Sequence, residues 1–429
     1  MTRIVYAVLM FLLTIAAWTM MDPKISAQLS KMNKYTGSTD SVPEDICVLY
    51  SIPAVNCTGG TVDKLWGEQG VSRVMFSGTC FFFLMGLMMV GASSSSGGRG
   101  TLQNGLWGIK ILMIVALAVG AFFIPNTFFA KAWAYIGLIG GFLWTLAQLV
   151  LIIDFAYSWA DSWVGKIEDG SSCYKWLTIL SSFGMYIFSL TMIILMFVFY
   201  GKPREGASAD TNCGQNKALV AVNLVLAIAI TAVALSGRVQ EAIPNSGLLQ
   251  AGVVVSYVTY YTWSAVSEND QACTPSSMKI SEHTATVVGA LFTFAAVAYA
   301  SLRTSPASSV GKLGMNNTDE DGESRPLKRD DDDDMLESGK DDDDDREDDE
   351  SGATLYNWCY FHMTFALATL YLMEVMTDWG AIRDGTTADV HIGRGKASVW
   401  LKIASAWLSA ALYVWTLVAP VCMPDRDFN

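Results

Sequence analysis

Apolar residues along this chain come in long blocks separated by polar stretches, rather than at helical or strand period. A block of 18 or more apolar residues reads as a membrane span, because about 20 helical residues cross the roughly 30 Å hydrocarbon core. A β-barrel would instead show short segments of alternating character. Ten blocks stand out, at residues 4–21, 71–92, 106–123, 132–156, 174–200, 218–235, 248–265, 284–302, 356–379 and 400–421. They predict an all-α polytopic membrane protein of about ten transmembrane helices. Tryptophans such as Trp18, Trp133, Trp159, Trp263, Trp379 and Trp400 gather near block ends, as interfacial belts do. The first block follows Arg3, is long for a signal-peptide core and precedes no small-x-small cleavage pattern. It is expected to persist as the first helix.

Three connections differ from the short ones. Residues 22–70 are polar and hold Cys47 and Cys57, and residues 92–105 contain the flexible run Ser93-Ser94-Ser95-Ser96-Gly97-Gly98. Residues 303–354 carry Asp330–Asp334 and Asp341–Asp345, like-charge runs that repel and stay unfolded. The expected organisation is eight helices in residues 1–302, a disordered acidic loop at 303–354, and two helices with a short tail in 355–429.

Composition agrees with this pattern, since only 16% of residues are charged against roughly 25% in soluble proteins. The acidic loop has 19 acidic and 7 basic residues, so it holds −12 of the net charge of −13. The remaining body is close to neutral.

Sidedness is set by two opposed signals. Lys202, Arg204, Arg383, Arg394 and Lys396 in short loops favour the face opposite the termini as cytoplasmic. Cys47, Cys57, Cys213 and Cys273 share that same face and suggest disulfides in an oxidising compartment. The sequon Asn56-Cys57-Thr58 lies there too, and a competing one, Asn316-Asn317-Thr318, lies in the acidic loop. Giving the cysteines precedence puts the termini and the acidic loop in the cytosol, with Asn56 the glycosylation candidate. Three cysteine pairings stay open. The protein is expected in the plasma membrane or an endomembrane.

Ionisable groups inside a bilayer are costly, by about 2.5–3.5 kcal/mol at a helix centre on insertion scales, and they mark function. Asp154, Ser158 and Asp161 share one helical face in the fourth block. Tyr371, Glu374 and Asp378 do so in the ninth, and Gln250, Tyr257, Tyr261 and Ser264 form a seam in the seventh. Asn223 marks the sixth. Together they suggest a hydrated groove lined by Asp154, Ser158, Gln250, Tyr257, Glu374 and Asp378. A plainer reading puts Asp154 and Glu374 at headgroup level near the ends of their spans, and makes the seams interhelical glue. Gly137, Gly140 and Gly141 read as sites of close helix packing.

Catalytic and cofactor patterns are missing. His283, His362 and His391 lack metal-ligand spacing, and His362 reads as a packed side chain. Gly393-Arg394-Gly395-Lys396-Ala397 lacks the first Gly and the Ser or Thr of a phosphate loop, so no ATP site is expected. Neither an enzyme, a cofactor, a bound metal nor a nucleic-acid partner is expected.

Several stretches resemble the serine incorporator (Serinc, or TMS membrane protein) family. They are Thr2-Arg3-Ile4-Val5-Tyr6-Ala7, Asp154-Phe155-Ala156-Tyr157-Ser158-Trp159, Ser246-Gly247-Leu248-Leu249-Gln250 with Tyr257 and Thr262-Trp263-Ser264-Ala265, Phe361-His362-Met363 with Leu370-Tyr371 and Thr377-Asp378-Trp379, and Trp415-Thr416-Leu417-Val418-Ala419-Pro420 with Arg426-Asp427-Phe428. They run in order along nearly the whole chain. Tyr157 stands where the family signature has His, no cysteine-rich stretch precedes Thr2-Arg3, and the Asp runs look particular to this chain. The resemblance implies two helical bundles with long crossing helices and a lipid-accessible groove. It also implies roles in supplying serine to phosphatidylserine and sphingolipid synthesis, and in moving phospholipids between leaflets.

The leading expectation is therefore ATP-independent phospholipid scrambling, with membrane lipids (phosphatidylserine and sphingolipids) as partners. The second is a serine carrier or scaffold serving lipid-synthesising enzymes. It needs an acid for the amine and donors for the carboxylate, often at broken helices, and no broken helix is evident in the sequence. A third is an interaction protein whose acidic loop recruits partners. Oligomeric state is left open.

Overall fold

The computed structural model describes residues 2–33, 59–92, 97–203, 212–242, 247–269, 273, 282–302, 357–377, 379 and 396–423. Asn56, Cys47, Cys57, the acidic loop, Asp378, Arg204, Arg383 and Arg394 lie outside them. The described residues form helices α1 (Thr2–Thr19), α2 (Pro23–Asn33), α3 (Gly59–Met88), α4 (Gly98–Asn104), α5 (Trp107–Ala121), α6 (Ala134–Glu168), α7 (Ser172–Phe199), α8 (Gly214–Ala234), α9 (Gly237–Ala242), α10 (Leu248–Asn269), α11 (Glu282–Leu302), α12 (Trp358–Met376) and α13 (Lys396–Cys422).

Every one of the ten apolar blocks is helical, but they are not equal. Seven helices are long and apolar enough to cross a membrane, or eight if the bent pair α4–α5 is one span. The helices at the seventh and eighth blocks are outside that set. In α10 the reason is its Tyr, Thr and Ser content, which the fold tolerates by burying the helix among others. The pair α4–α5 is bent by 73°. Leu106, at the break, has φ 56°, a left-handed conformation that favours glycine. The third block is thus a broken span, which periodicity alone did not reveal.

Two bundles share one long helix. The first packs α1, α3 and α11 around α12, with α5 against the outside of α3. The second packs α7, α8 and α13 around α10. Helix α6 touches members of both. With a helical turn at Asn126–Phe128 and a π-helical turn at Phe129–Trp133 it makes a 43-residue run. That is about 60 Å of helix, roughly twice the hydrocarbon thickness. The expected end at 156 is therefore too early. No Gly or Pro interrupts the segment before Gly165, so the helix continues past the apolar block with Asp161 and Lys166 exposed.

Burial follows position, with the polarity of a membrane protein. The apolar window of α12 is 78% buried, against 22% in α1 and in α7. Outward-facing Leu112, Leu180, Ile187 and Val225 are all more than half exposed, as lipid-facing residues are. Lipid tails are as apolar as Leu, so close packing and hydrogen bonds hold such helices together. Gly137 and Gly140 of α6 lie directly against Glu374, Met373 and Leu370 of α12, with no room for a Cβ. A disulfide links Cys213, just before α8, to Cys273, beyond the end of α10. Nearby, Asn216 donates to the Tyr200 carbonyl (3.1 Å) and accepts from Asn269 (2.7 Å).

Candidate functional site

The last turn of α12 builds a polar corner where the two bundles meet. Glu374 is buried, with its carboxyl group over Gly137 and its Cγ beside Gly141. Only glycines on α6 allow this approach; a methyl at Gly141 would stand 3.3 Å from the Trp379 ring and 3.4 Å from Glu374 Cγ. After Thr377 the chain folds back, and the Trp379 N–H donates to the Glu374 carbonyl at 2.6 Å. Trp379 adopts φ 56° to do so, a conformation that costs a non-glycine residue about 1–2 kcal/mol. The turn lays the indole inside the protein, edge-on to Tyr371 at 5.8 Å. Lys402 of α13 brings its ammonium over the same indole at 5.7 Å and donates to Ser264 Oγ at 2.9 Å.

The corner opens onto hydroxyl groups. The Tyr371 and Tyr261 hydroxyls meet at 3.2 Å. Tyr257, its ring tilted against that of Tyr261, donates to the Thr145 carbonyl at 3.3 Å. Thr145 Oγ1 in turn donates to Ser405 Oγ at 3.1 Å. By contrast, no hydrogen bond reaches the Glu374 carboxyl group from the described residues. A buried polar group left unpartnered costs about 1–3 kcal/mol, and more when charged.

The expected groove residues divide. Tyr257 and Glu374 belong to neighbouring turns of this one network. Asp154 does not: it is buried within α6 and accepts from the Tyr299 hydroxyl of α11 at 2.7 Å. Ser158 is half-buried one turn further on. Gln250 accepts from the Gly247 N–H at 3.0 Å, so it caps the start of α10. Asp378 lies outside the described residues. Asn223 donates to Thr259 at 3.2 Å, joining α8 to α10. Asp154 and Glu374 are both buried among helices, and α6 runs well past Asp154.

The serine incorporator (Serinc) family model matches residues 1–426. The chain belongs to the serine incorporator family. A probable serine incorporator of Monosiga brevicollis is 40% identical to it, covering 100% of this chain and 91% of that protein. One of Nematostella vectensis is 37% identical, over 86% of this chain and 82% of that protein. Serine incorporator 3 of Bos taurus is 31% identical, over 100% and 92%.

Several polar residues of this serine incorporator escape a search for acids. In the first bundle Lys110 donates to the Gln103 carbonyl (2.9 Å) and lies over the Trp107 ring (4.0 Å). The same carbonyl accepts from Tyr6 at 3.1 Å, and the Gln103 amide oxygen meets His362 Nε2 at 2.7 Å. These bonds close the 73° bend. Arg73 of α3 donates to Gln69 Oε1 (2.8 Å) and to Asn126 Oδ1 (2.5 Å), fastening the chain after Pro125. Gln148, Lys402, Ser405 and Ser409 occupy interior positions of the other bundle. The available signal was a basic or amide residue inside an apolar block, as in Ala147-Gln148-Leu149.

Proposed function

We propose that this protein moves phospholipids between leaflets without ATP, and that the Glu374–Trp379–Lys402 corner receives the amino-acid-bearing head group. The observation that carries this reading is a buried acid for which the described residues supply no donor, set beside an indole that a buried lysine, itself bonded to a buried serine, overlies. An ammonium group complements Glu374. Lys402, Ser264 and the Tyr261–Tyr371 pair complement a carboxylate or phosphate. Ile136 beside Gly137 and Trp400 near Lys402 both face outward, so the corner lies about one helical turn from lipid. The head group would occupy the corner while its tails stay in the bilayer, since polar groups at depth are tolerated where they line a hydrated cavity. Phosphatidylserine is the lipid that best fits both charges. A link to phosphatidylserine and sphingolipid metabolism, and contact with lipid-synthesising enzymes, follow from this reading.

Carriage of free serine is the second reading, and two features favour it. Serine presents the same ammonium and carboxylate, and the α4–α5 break supplies the broken helix that carriers use. Proteoliposomes separate the two. Exchange of acyl-labelled phosphatidylserine without ATP supports the first. Saturable uptake of labelled serine without lipid exchange supports the second.

The Cys213–Cys273 disulfide supports an orientation with that face luminal or extracellular, and with the termini and acidic loop cytosolic. Protease protection with a tag at each terminus tests it.

A further inference from the structure

Beyond the corner, a file of buried polar side chains continues between α6, α10 and α13. The two long helices of the file run parallel: Thr145 bonds Ser405 and Tyr157 lies beside Thr416, so twelve residues on α6 match eleven on α13. At 1.5 Å per residue the two contacts lie about 17 Å apart. Gln148 falls one turn beyond Thr145. Ser409 falls one turn beyond Ser405, and Tyr413 one turn beyond that. Gln148 and Tyr413 are fully buried and Ser409 is 1% exposed. Yet both amide atoms of Gln148, the Ser409 hydroxyl and the Tyr413 hydroxyl have no hydrogen-bond partner among the described residues.

Four such atoms fall within about two helical turns of one packed interface. Buried polar groups in native proteins are nearly always satisfied, by protein or by ordered water. A buried water typically makes two to four hydrogen bonds to groups of this kind. Hydroxyls and an amide from two facing helices supply both donors and acceptors. Gln148 on α6 and Ser409 with Tyr413 on α13 bring polar groups to both sides of this interface.

We propose that Gln148, Ser409 and Tyr413 bind internal water, and that this water completes a hydrogen-bonded file along α6, α10 and α13 that lets protons through. The fixed links are Tyr261 with Tyr371 and Thr145 with Ser405, with Tyr257 donating to the Thr145 carbonyl and Tyr157 lying beside Thr416. Exposed Asp161 stands near Tyr157 at one end, and Lys402 with Ser264 near the other. Each hydroxyl or water oxygen along the file accepts one proton and releases another, so nothing is consumed, while the Thr145 carbonyl and the Gln148 amide only hold the file in place. The residues that carry the test, Gln148, Ser409 and Tyr413, lie outside the head-group corner, although the file shares Tyr261, Tyr371, Lys402 and Ser264 with it.

The test uses the full chain in liposomes holding a pH-sensitive dye, with a potassium diffusion potential set by valinomycin. The wild type should admit protons faster than protein-free vesicles. Gln148→Leu should lose that excess, while its lipid exchange stays at the wild-type level. Wild-type influx equal to that of empty vesicles would overturn the proposal. So would Gln148→Leu leaving the influx unchanged. If Gln148→Leu does not fold, Ser409→Ala with Tyr413→Phe serves instead. Radiolytic labelling of Tyr413 by internal water gives a second readout: labelled in the wild type, unlabelled in Gln148→Leu, and absent from both if the interface is dry.

Discussion

The two bundles bury their polar groups in different ways. In the first, the central helix α12 is sheathed in aromatic and aliphatic side chains such as Phe361, Phe365, Leu372 and Met373. Its hydrogen-bonded side chains gather into knots, one at Gln103–His362–Lys110 and one at Arg73–Asn126. In the second bundle the central helix α10 carries Tyr257, Thr259, Tyr261, Thr262 and Ser264, all buried, spread along its length. Small residues Ala251, Ala406 and Ala410 bring its helices close. One bundle uses polarity to fasten bends, and the other lays it out as a line. A line of polar groups through an apolar body suits passage, whereas knots suit stability. Glu374 stands where the two meet.

That contrast can be broken by substitution. The disulfide has the largest expected effect. A loop of 60 residues closed by a disulfide contributes about 4 kcal/mol by loop-closure entropy. Cys213→Ser should lower the melting temperature of purified protein more than any change below. Gly137→Val comes next, because a side chain there collides with Glu374 and Met373. Overpacking of this kind costs about 1–3 kcal/mol, and it should separate α6 from α12 in cross-linking. A matched pair then sharpens the comparison. Gln103→Leu in the first bundle leaves His362 Nε2 without its partner and should destabilise by about 1–3 kcal/mol. Gln148→Leu in the second removes an amide that no described residue satisfies, and should change stability by less than about 1 kcal/mol. Thermal unfolding in one detergent reads both. Equal losses would mean that the bundles do not differ in this way.

Much of the fold was legible because apolar blocks long enough to span a bilayer have few alternatives to helix. The extent of α6 was not, since its last turns from Ser158 to Glu168 are polar and helical at once. The break before α5 was hidden because Leu106 carries no sequence signal for φ 56°. Within the site, Glu374 was legible as an acid in an apolar block. Lys402 was not sought as its companion, and nothing local shows that Trp379 turns back to join them. The serines of α13 are quiet in a hydropathy reading. Ser405, for one, also donates to its own helix at the Leu401 carbonyl (2.9 Å), so it costs little in an apolar setting.

The proposal stands or falls on whether Glu374 receives the ammonium of a lipid head group. Glu374→Gln keeps the shape of the side chain and removes its capacity for charge. In proteoliposomes without ATP, leaflet exchange is followed by quenching acyl-labelled phosphatidylserine and acyl-labelled phosphatidylglycerol, which has no amine. The account predicts that Glu374→Gln slows phosphatidylserine exchange and leaves phosphatidylglycerol exchange near the wild-type rate. Equal phosphatidylserine exchange in wild type and Glu374→Gln, with both folded, would contradict it.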